Sequence, residues 1–441
     1  MTNIVEHKQA DVAIADLFDN LALSKRHIVC CLILFVVYII EAWEMMIIIY
    51  AAPLVTADLQ LTTTDLGSLI SAIFIGMGIG ALFWGVISDK FGRKKSIIWS
   101  LILYSIISLF SAFSETFWQL YCARLVSGIA AAGMLVICVP YFQELLPTQV
   151  RGKLSVYLAA GWPFGILVAV GMTVLLGDHG WRWIIGVSAI CGLWALMMQR
   201  YLPESPYWCV KAGHQQKAKD AISYLSNGSI TLAADQRIVV PVTLSETKKG
   251  FKFPLVVISL NQIVVSFMIA WGYWGLQSWL PSLLEKRGLS LPQSFEFIAL
   301  SALFMLPGYI VASWLTGKFG RKKVFMLFIS LAAVSGYLFA HSSTETGLYA
   351  SNFALSFFSL GAYGVWGAWV GEFYPTSIRA TGYSITIVTQ RVANILAPML
   401  IGYVLSLGWT FTSTTFFIDA FLFAAAFFAI FLPETEGRTL S

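Results

Sequence analysis

At 441 residues, with 58% hydrophobic and 12% charged side chains, the chain lacks the polar surface of a water-soluble domain, for which about 25% charge is usual. That composition sets aside soluble enzymes and nucleic-acid binders. The net charge of +5 needs no acidic partner once the basic residues are sorted by loop.

Residues 1–26 mix Asp, Glu, Lys and Asn and lack a small-residue cleavage site, so they read as a cytoplasmic leader rather than a signal peptide. Twelve apolar runs follow, each long enough to cross ~30 Å of hydrocarbon at ~1.5 Å per residue. They predict spans at 27–50, 65–88, 96–114, 117–141, 153–176, 182–202, 253–281, 296–317, 324–341, 347–371, 380–406 and 409–432. The expected fold is an all-α membrane protein of twelve transmembrane helices in two six-helix halves. An N-terminal bundle (27–202) and a C-terminal bundle (253–432) are joined by a cytoplasmic loop (203–252), and a cytoplasmic tail covers 433–441. Basic residues set the orientation. With the N-terminus inside, 23 of the 28 Lys and Arg fall in cytoplasmic segments, and only Arg182, Lys286 and Arg287 in outer loops. Both termini are therefore placed in the cytoplasm. Cys30, Cys31, Cys122, Cys138, Cys191 and Cys209 lie in or beside spans without metal-like spacing, so they read as packing residues, and no metal or cofactor is expected.

The loops repeat. Asp89-Lys90-Phe91-Gly92-Arg93-Lys94-Lys95 follows span 2, and Gly317-Lys318-Phe319-Gly320-Arg321-Lys322-Lys323 follows span 8, an offset of 228. Glu144 through Pro147, Thr148 and Arg151 returns as Glu372 through Pro375, Thr376 and Arg379 at the same offset, as does Pro53 as Pro281. Pro203-Glu204-Ser205 and Pro433-Glu434-Thr435 are offset by 230. Two parallel halves of this kind place a substrate site near mid-membrane, where they meet.

Over almost its whole length the chain resembles the major facilitator superfamily. Asp89-x-x-Gly92-Arg93-Lys94 resembles its signature loop, and Pro203-Glu204-Ser205-Pro206 and Pro433-Glu434-Thr435-x-Gly437 resemble marks of the sugar-porter and organic-ion branches. Glu372-x-x-Pro375-Thr376-x-x-Arg379-x-Thr381-Gly382, followed by Arg391 and Pro398, is similar to the bacterial aromatic-acid and nicotinate proton symporters. The resemblance implies alternating access in a monomer. It also implies a gating role for Asp89 with Arg93, Glu144 with Arg151 and Glu372 with Arg379, as latches favouring the outward-open state. The alternative is that these basic residues only anchor loops at anionic headgroups.

Charges inside the spans carry the functional reading, since each costs at least ~2.5–3.5 kcal/mol in hydrocarbon. Glu41 and Glu44 lie three apart in span 1 and repel each other in a low dielectric, as a proton-coupling site requires. Arg124 in span 4 lies ~10 Å from the outer end and Glu44 ~13 Å, so they can pair if spans 1 and 4 are neighbours, as they are in the resembled fold. A static buried pair is the alternative. Arg391, about halfway through span 11, offers a planar fork to a carboxylate. In the resembled symporters an Arg at this place is expected to hold an anionic substrate; here it competes with a permanent pair to Asp419 in span 12.

Trp162, Trp271, Tyr273 and Trp366 are candidate cavity rings, with Gln277, Gln390 and Asn394 as polar partners. The chain is thus expected to be a proton-coupled symporter of a small organic anion, an aromatic or heterocyclic carboxylate, in a bacterial inner membrane. Its partners would be that small-molecule substrate, protons and the lipid bilayer. An organic-cation or sugar carrier of the same fold is the alternative, and a non-transporting receptor or sensor the reading from another class. No GxxxxGK[ST] phosphate loop is present, so ATP is not the expected energy source.

Overall fold

Matched caps start corresponding helices in the two halves. Thr62 receives the Asp65 N–H and Asp65 reaches back to Thr62, and 228 residues later Ser290 and Gln293 repeat the box. Thr116 and Thr344 likewise accept the N–H three residues on. In the computed structural model, residues 11–19, 21–233, 236–239, 253–370, 372–374 and 379–435 are described. The first ten residues, Lys8 among them, and Pro375, Thr376, Gly437, Arg438 and the side chains of Lys153 and Arg379 lie outside the described set.

Among the described residues, twelve helices are long and apolar enough to cross a membrane. In chain order, spans 1 to 6 are Lys25–Leu59, Thr63–Phe91, Arg93–Ser111, Phe117–Glu144, Tyr157–His179 and Trp181–Tyr201. Spans 7 to 12 are Leu255–Lys286, Leu291–Phe319, Arg321–His341, Glu345–Val370, Gly382–Ser406 and Phe411–Ala429. Pro53 and Pro281, at or just beyond the predicted ends of spans 1 and 7, do not end their helices, which continue to Leu59 and Lys286. One missing N–H near a helix end is tolerated when the turns on both sides are packed.

Within each half the packing follows the repeat. Span 2 packs on span 4 and span 8 on span 10, with span 3 on span 4 and span 9 on span 10. A Cβ on Gly80 would stand 2.4 Å from the Ile129 carbonyl oxygen, and one on Gly308 would stand 2.1 Å from that of Phe357. These contacts are 228 residues apart and allow backbone to touch backbone, the small-residue packing expected between helices in lipid. Span 5 is interrupted: Thr148–Ala159 ends and Gly161–Leu176 begins just before Pro163, whose ring and missing N–H break the ladder.

The leader and the start of the central loop fold onto the N-terminal half, which hydropathy did not announce. Helices Ile14–Asp19, Pro206–Lys211 and Gln215–Leu225 lie there, and strands Asp11–Ala13 and Arg237–Val239 pair in parallel. Phe18 is fully buried against Tyr207, and the Ser24 hydroxyl donates to the Leu225 carbonyl over 2.5 Å.

Candidate functional site

The halves touch along spans 2 and 11, 5 and 8, and 1 and 7. At the end away from the termini this seam is shut. Cβ atoms on Gly67 and Gly402 would stand 2.5 Å from the carbonyl oxygens of Pro398 and Thr63, and the Ser71 hydroxyl donates to the Ile395 carbonyl over 2.8 Å. Residues 40–52 of span 1 and 269–281 of span 7 are buried without a gap, with Phe74 edge-on to Trp274.

From the middle towards the termini the halves part around a cavity of about 310 Å³. The N-terminal half contributes Tyr38, Glu41, Met45 and Trp162; the C-terminal half contributes Tyr273, Trp274, Tyr309, Tyr363, Trp366, Tyr383, Thr386, Gln390, Arg391 and Asn394. Trp162 sits just past the break in span 5, and its Nε1 donates to the Tyr273 hydroxyl over 2.7 Å, a side-chain bond from half to half. Trp274 meets Trp162 edge-on at 5.6 Å, and Tyr363 lies 5.7 Å from Tyr273. The volume suits a ligand of one small ring.

Glu41 and Arg391 face this space from opposite halves. Each lies in the other's electrostatic field, and the phenols of Tyr38 and Tyr363 line the same space. Among the described residues no carboxylate comes within 4.0 Å of Arg391. Glu41 is 2% exposed, with Oε2 lacking a hydrogen-bond partner. A cation and an acid are thus held apart across an aromatic chamber, where a guest carboxylate can reach the guanidinium.

Glu44 goes elsewhere. Its Oε1 pairs with Arg124 Nη2 at 2.7 Å and accepts from the Ser127 hydroxyl at 2.6 Å, while Arg124 also donates to the Glu44 carbonyl over 3.1 Å. Both side chains are fully buried and neither lines the cavity. The pairing expected from depth is present. The two glutamates, however, do not act on one space.

Asp419 is not Arg391's partner. It occupies a separate cavity with Gln277, inside the C-terminal half, and Gln277 does not line the central one. Trp271 also leaves the expected group: it is 2% exposed and stacks on Phe421 at 4.6 Å as part of the C-terminal core. Of the rings and amides expected to line the cavity, Trp162, Tyr273, Trp366, Gln390 and Asn394 do so. Tyr38, Tyr309, Tyr363, Tyr383 and Thr386 were missed. Tyr383, Ile387, Gln390 and Asn394 recur at helical spacing around Arg391, a stripe the sequence does carry.

At the termini end the charged motifs pair within each half. Arg93 meets Asp89 at 2.5 Å and Glu144 at 3.4 Å, and Arg321 meets Glu372 at 2.6 Å. Glu144 therefore takes Arg93 rather than Arg151, whose guanidinium donates to the Leu146 carbonyl and the Tyr207 hydroxyl. Whether Glu372 also meets Arg379 falls outside the described side chains. The Asp89 side chain is 73% exposed, so its carboxylate is not docked between the halves. Glu204 accepts the N–H groups of Lys94 and Ser205 at 3.0 and 2.9 Å, and Glu434 those of Lys322 and Thr435 at 3.4 and 2.9 Å. Burial pushes the Glu204 carboxyl above its ordinary value, and those N–H bonds pull it partly back. The Glu204 carboxylate fits only because Gly92 has φ +100 and no side chain, since a Cβ there would overlap Oε2. Gly92→Ala is expected to cost about 1–3 kcal/mol of stability through backbone strain, before the displaced carboxylate is counted. Thermal unfolding in detergent would register it as a lowered Tm.

The family described as "Sugar (and other) transporter" matches residues 28–441. The chain belongs to that family. Family members are transporters rather than enzymes, and this one is a multi-pass membrane protein of the major facilitator superfamily. It is 30% identical over 427 residues to the niacin transporter NiaP of Acinetobacter baylyi, covering 96% of this chain and 97% of that protein. It is 30% identical over 405 residues to the putative niacin/nicotinamide transporter NiaP of Bacillus subtilis, covering 91% and 95%. The cis,cis-muconate transport protein of Acinetobacter baylyi is 26% identical over 400 residues, covering 87% and 90%. Among solved structures, the inward-open xylose transporter XylE of E. coli superposes with a TM-score of 0.78 at 20% identity, over 94% of this chain and 98% of that one.

Proposed function

We propose that this facilitator is a proton-coupled symporter of a small organic anion, an aromatic or heterocyclic carboxylate, working by alternating access with both termini in the cytoplasm of a bacterial inner membrane. The observation that carries the reading is Arg391 facing Glu41 across an aromatic cavity where the halves meet. A substrate carboxylate would take the Arg391 fork, its ring lying among Trp162, Trp274, Tyr309 and Tyr363. An anion seated there competes with Glu41 for the same positive charge, so the cavity regains balance when Glu41 carries a proton. Substrate and proton would then travel together. Relatives named for niacin and cis,cis-muconate transport support a planar acid as cargo. The organic-cation reading needs Arg391 neutralised by Asp419, and those residues lie in different cavities. Shut at the far end and parted towards the termini, the cavity would face the cytoplasm. The Asp89–Arg93 and Glu372–Arg321 pairs would meet the opposite half when that end closes.

Uptake into proteoliposomes tests this. With an alkaline interior, labelled nicotinate is expected to accumulate, and a protonophore to abolish the accumulation. Accumulation of an organic cation or a sugar, with no response to carboxylates, would overturn the reading.

A further inference from the structure

Asp419 of span 12 is 3% exposed, and neither of its carboxylate oxygens has a hydrogen-bond partner among the described residues. Thr415, one turn before it, is 2% exposed, and its Oγ1 is unpartnered as well. Both line a cavity of about 20 Å³ enclosed by spans 7, 9, 10 and 12, to which Gln277, Ser356 and Ser359 also contribute. A space of that size holds one water-sized guest and little else. Its polar lining is almost wholly oxygen-bearing: one carboxylate, three hydroxyls, a phenol and one amide. No Lys, Arg or His lines it. Tyr273 is the other titratable side chain in the wall; further along span 9, Tyr337 and His341 pack on Phe416 of span 12.

An isolated carboxylate in such surroundings is costly, so it takes up either a proton or a compensating cation. A hard, small cation prefers carboxylate, hydroxyl and amide oxygens. The protein also leaves room at the carboxylate: a Cβ on Gly336 would stand inside contact distance of Asp419 Oδ1, so only glycine lets that oxygen take its place.

We propose that the Asp419 cavity is a binding site for one small monovalent cation, sodium, held by Asp419 and Thr415 with Ser356, Ser359 and Gln277 around it. The site stands apart from Glu41 and Arg391, and Tyr273 is the residue that lines both cavities. Its hydroxyl accepts from Trp162 of the other half, so the cation's presence would bear on the contact between halves. A charge carried on the C-terminal half would be a second contribution to transport energetics, independent of the proposed proton on Glu41.

The test is thermal unfolding of the purified full-length protein, without substrate, in sodium, potassium and choline chloride at matched ionic strength over a pH series. Wild type, Asp419→Asn and Thr415→Val are compared. A bound sodium ion raises the wild-type Tm in a saturable way, a gain lost in Asp419→Asn and weakened in Thr415→Val. A pH-dependent gain, equal in all three salts, that Asp419→Asn loses would overturn the proposal, since it reports only a proton on Asp419 itself. Wild type and Asp419→Asn responding alike to sodium would overturn it as well. Should Asp419→Asn not fold, an unchanged sodium response in Thr415→Val overturns it equally. Because no substrate is present, the result is separate from the fate of the Glu41–Arg391 reading.

Discussion

Arg391→Ala is expected to weaken binding of the organic anion by roughly thirtyfold to several thousandfold, because truncating one partner of a buried charged contact costs about 2–5 kcal/mol. Arg391→Lys should recover part of the loss, since it keeps the charge but not the planar fork. The readout is ligand-dependent thermal stabilisation of purified protein across a series of carboxylates. Substrate-free Tm serves as the control, because among the described residues no carboxylate lies within 4.0 Å of Arg391 whose pairing would be lost. Wild-type affinity in Arg391→Ala would remove this residue from the substrate site.

The second large effect separates the two acids of span 1. Glu44→Gln leaves Arg124 buried and without its counter-charge, so it should destabilise the N-terminal half by about 3–5 kcal/mol, seen as a lowered Tm or loss of folded protein. Glu41→Gln has no ion pair to break. It should leave Tm near that of wild type, abolish accumulation driven by a pH gradient, and spare counterflow exchange. Gradient-driven accumulation by Glu41→Gln at the wild-type level would take the coupling role from this residue.

Much of the fold could be read from the chain because two independent regularities agree. Hydropathy marks the spans, and a constant offset of 228 pairs loops, caps and helix contacts that share no local periodicity. The details that eluded the sequence are those set by a helix's azimuth and depth. Glu41 and Glu44 are about 60° apart around their helix, enough in a crowded bundle to send one to the cavity and the other to span 4. Trp271 and Tyr273 are about 200° of rotation apart, so when one lines the cavity the other must enter the core. Gln277 shares Tyr273's side of span 7 but lies one turn deeper, beside Asp419. Glu144 could not be assigned to Arg93 from spacing, since the two lie on different helices and only tertiary packing brings them together. The leader's attachment rests on one short parallel strand pair and on Phe18, signals too brief for any periodicity.

The shut seam between spans 2 and 11 has a consequence for how the molecule moves. It is a close fit of glycine against peptide backbone, stitched by the Ser71 hydroxyl and, among the described residues, with no ionic pair across it. Dispersion contacts of this sort forfeit about a quarter to a half of their strength once a gap of 0.5–1 Å appears. Such a closure should not loosen by degrees; it behaves as a snap fastener, either engaged along its length or sprung. That abruptness would keep both mouths from standing ajar together, the leak that any alternating-access carrier must avoid.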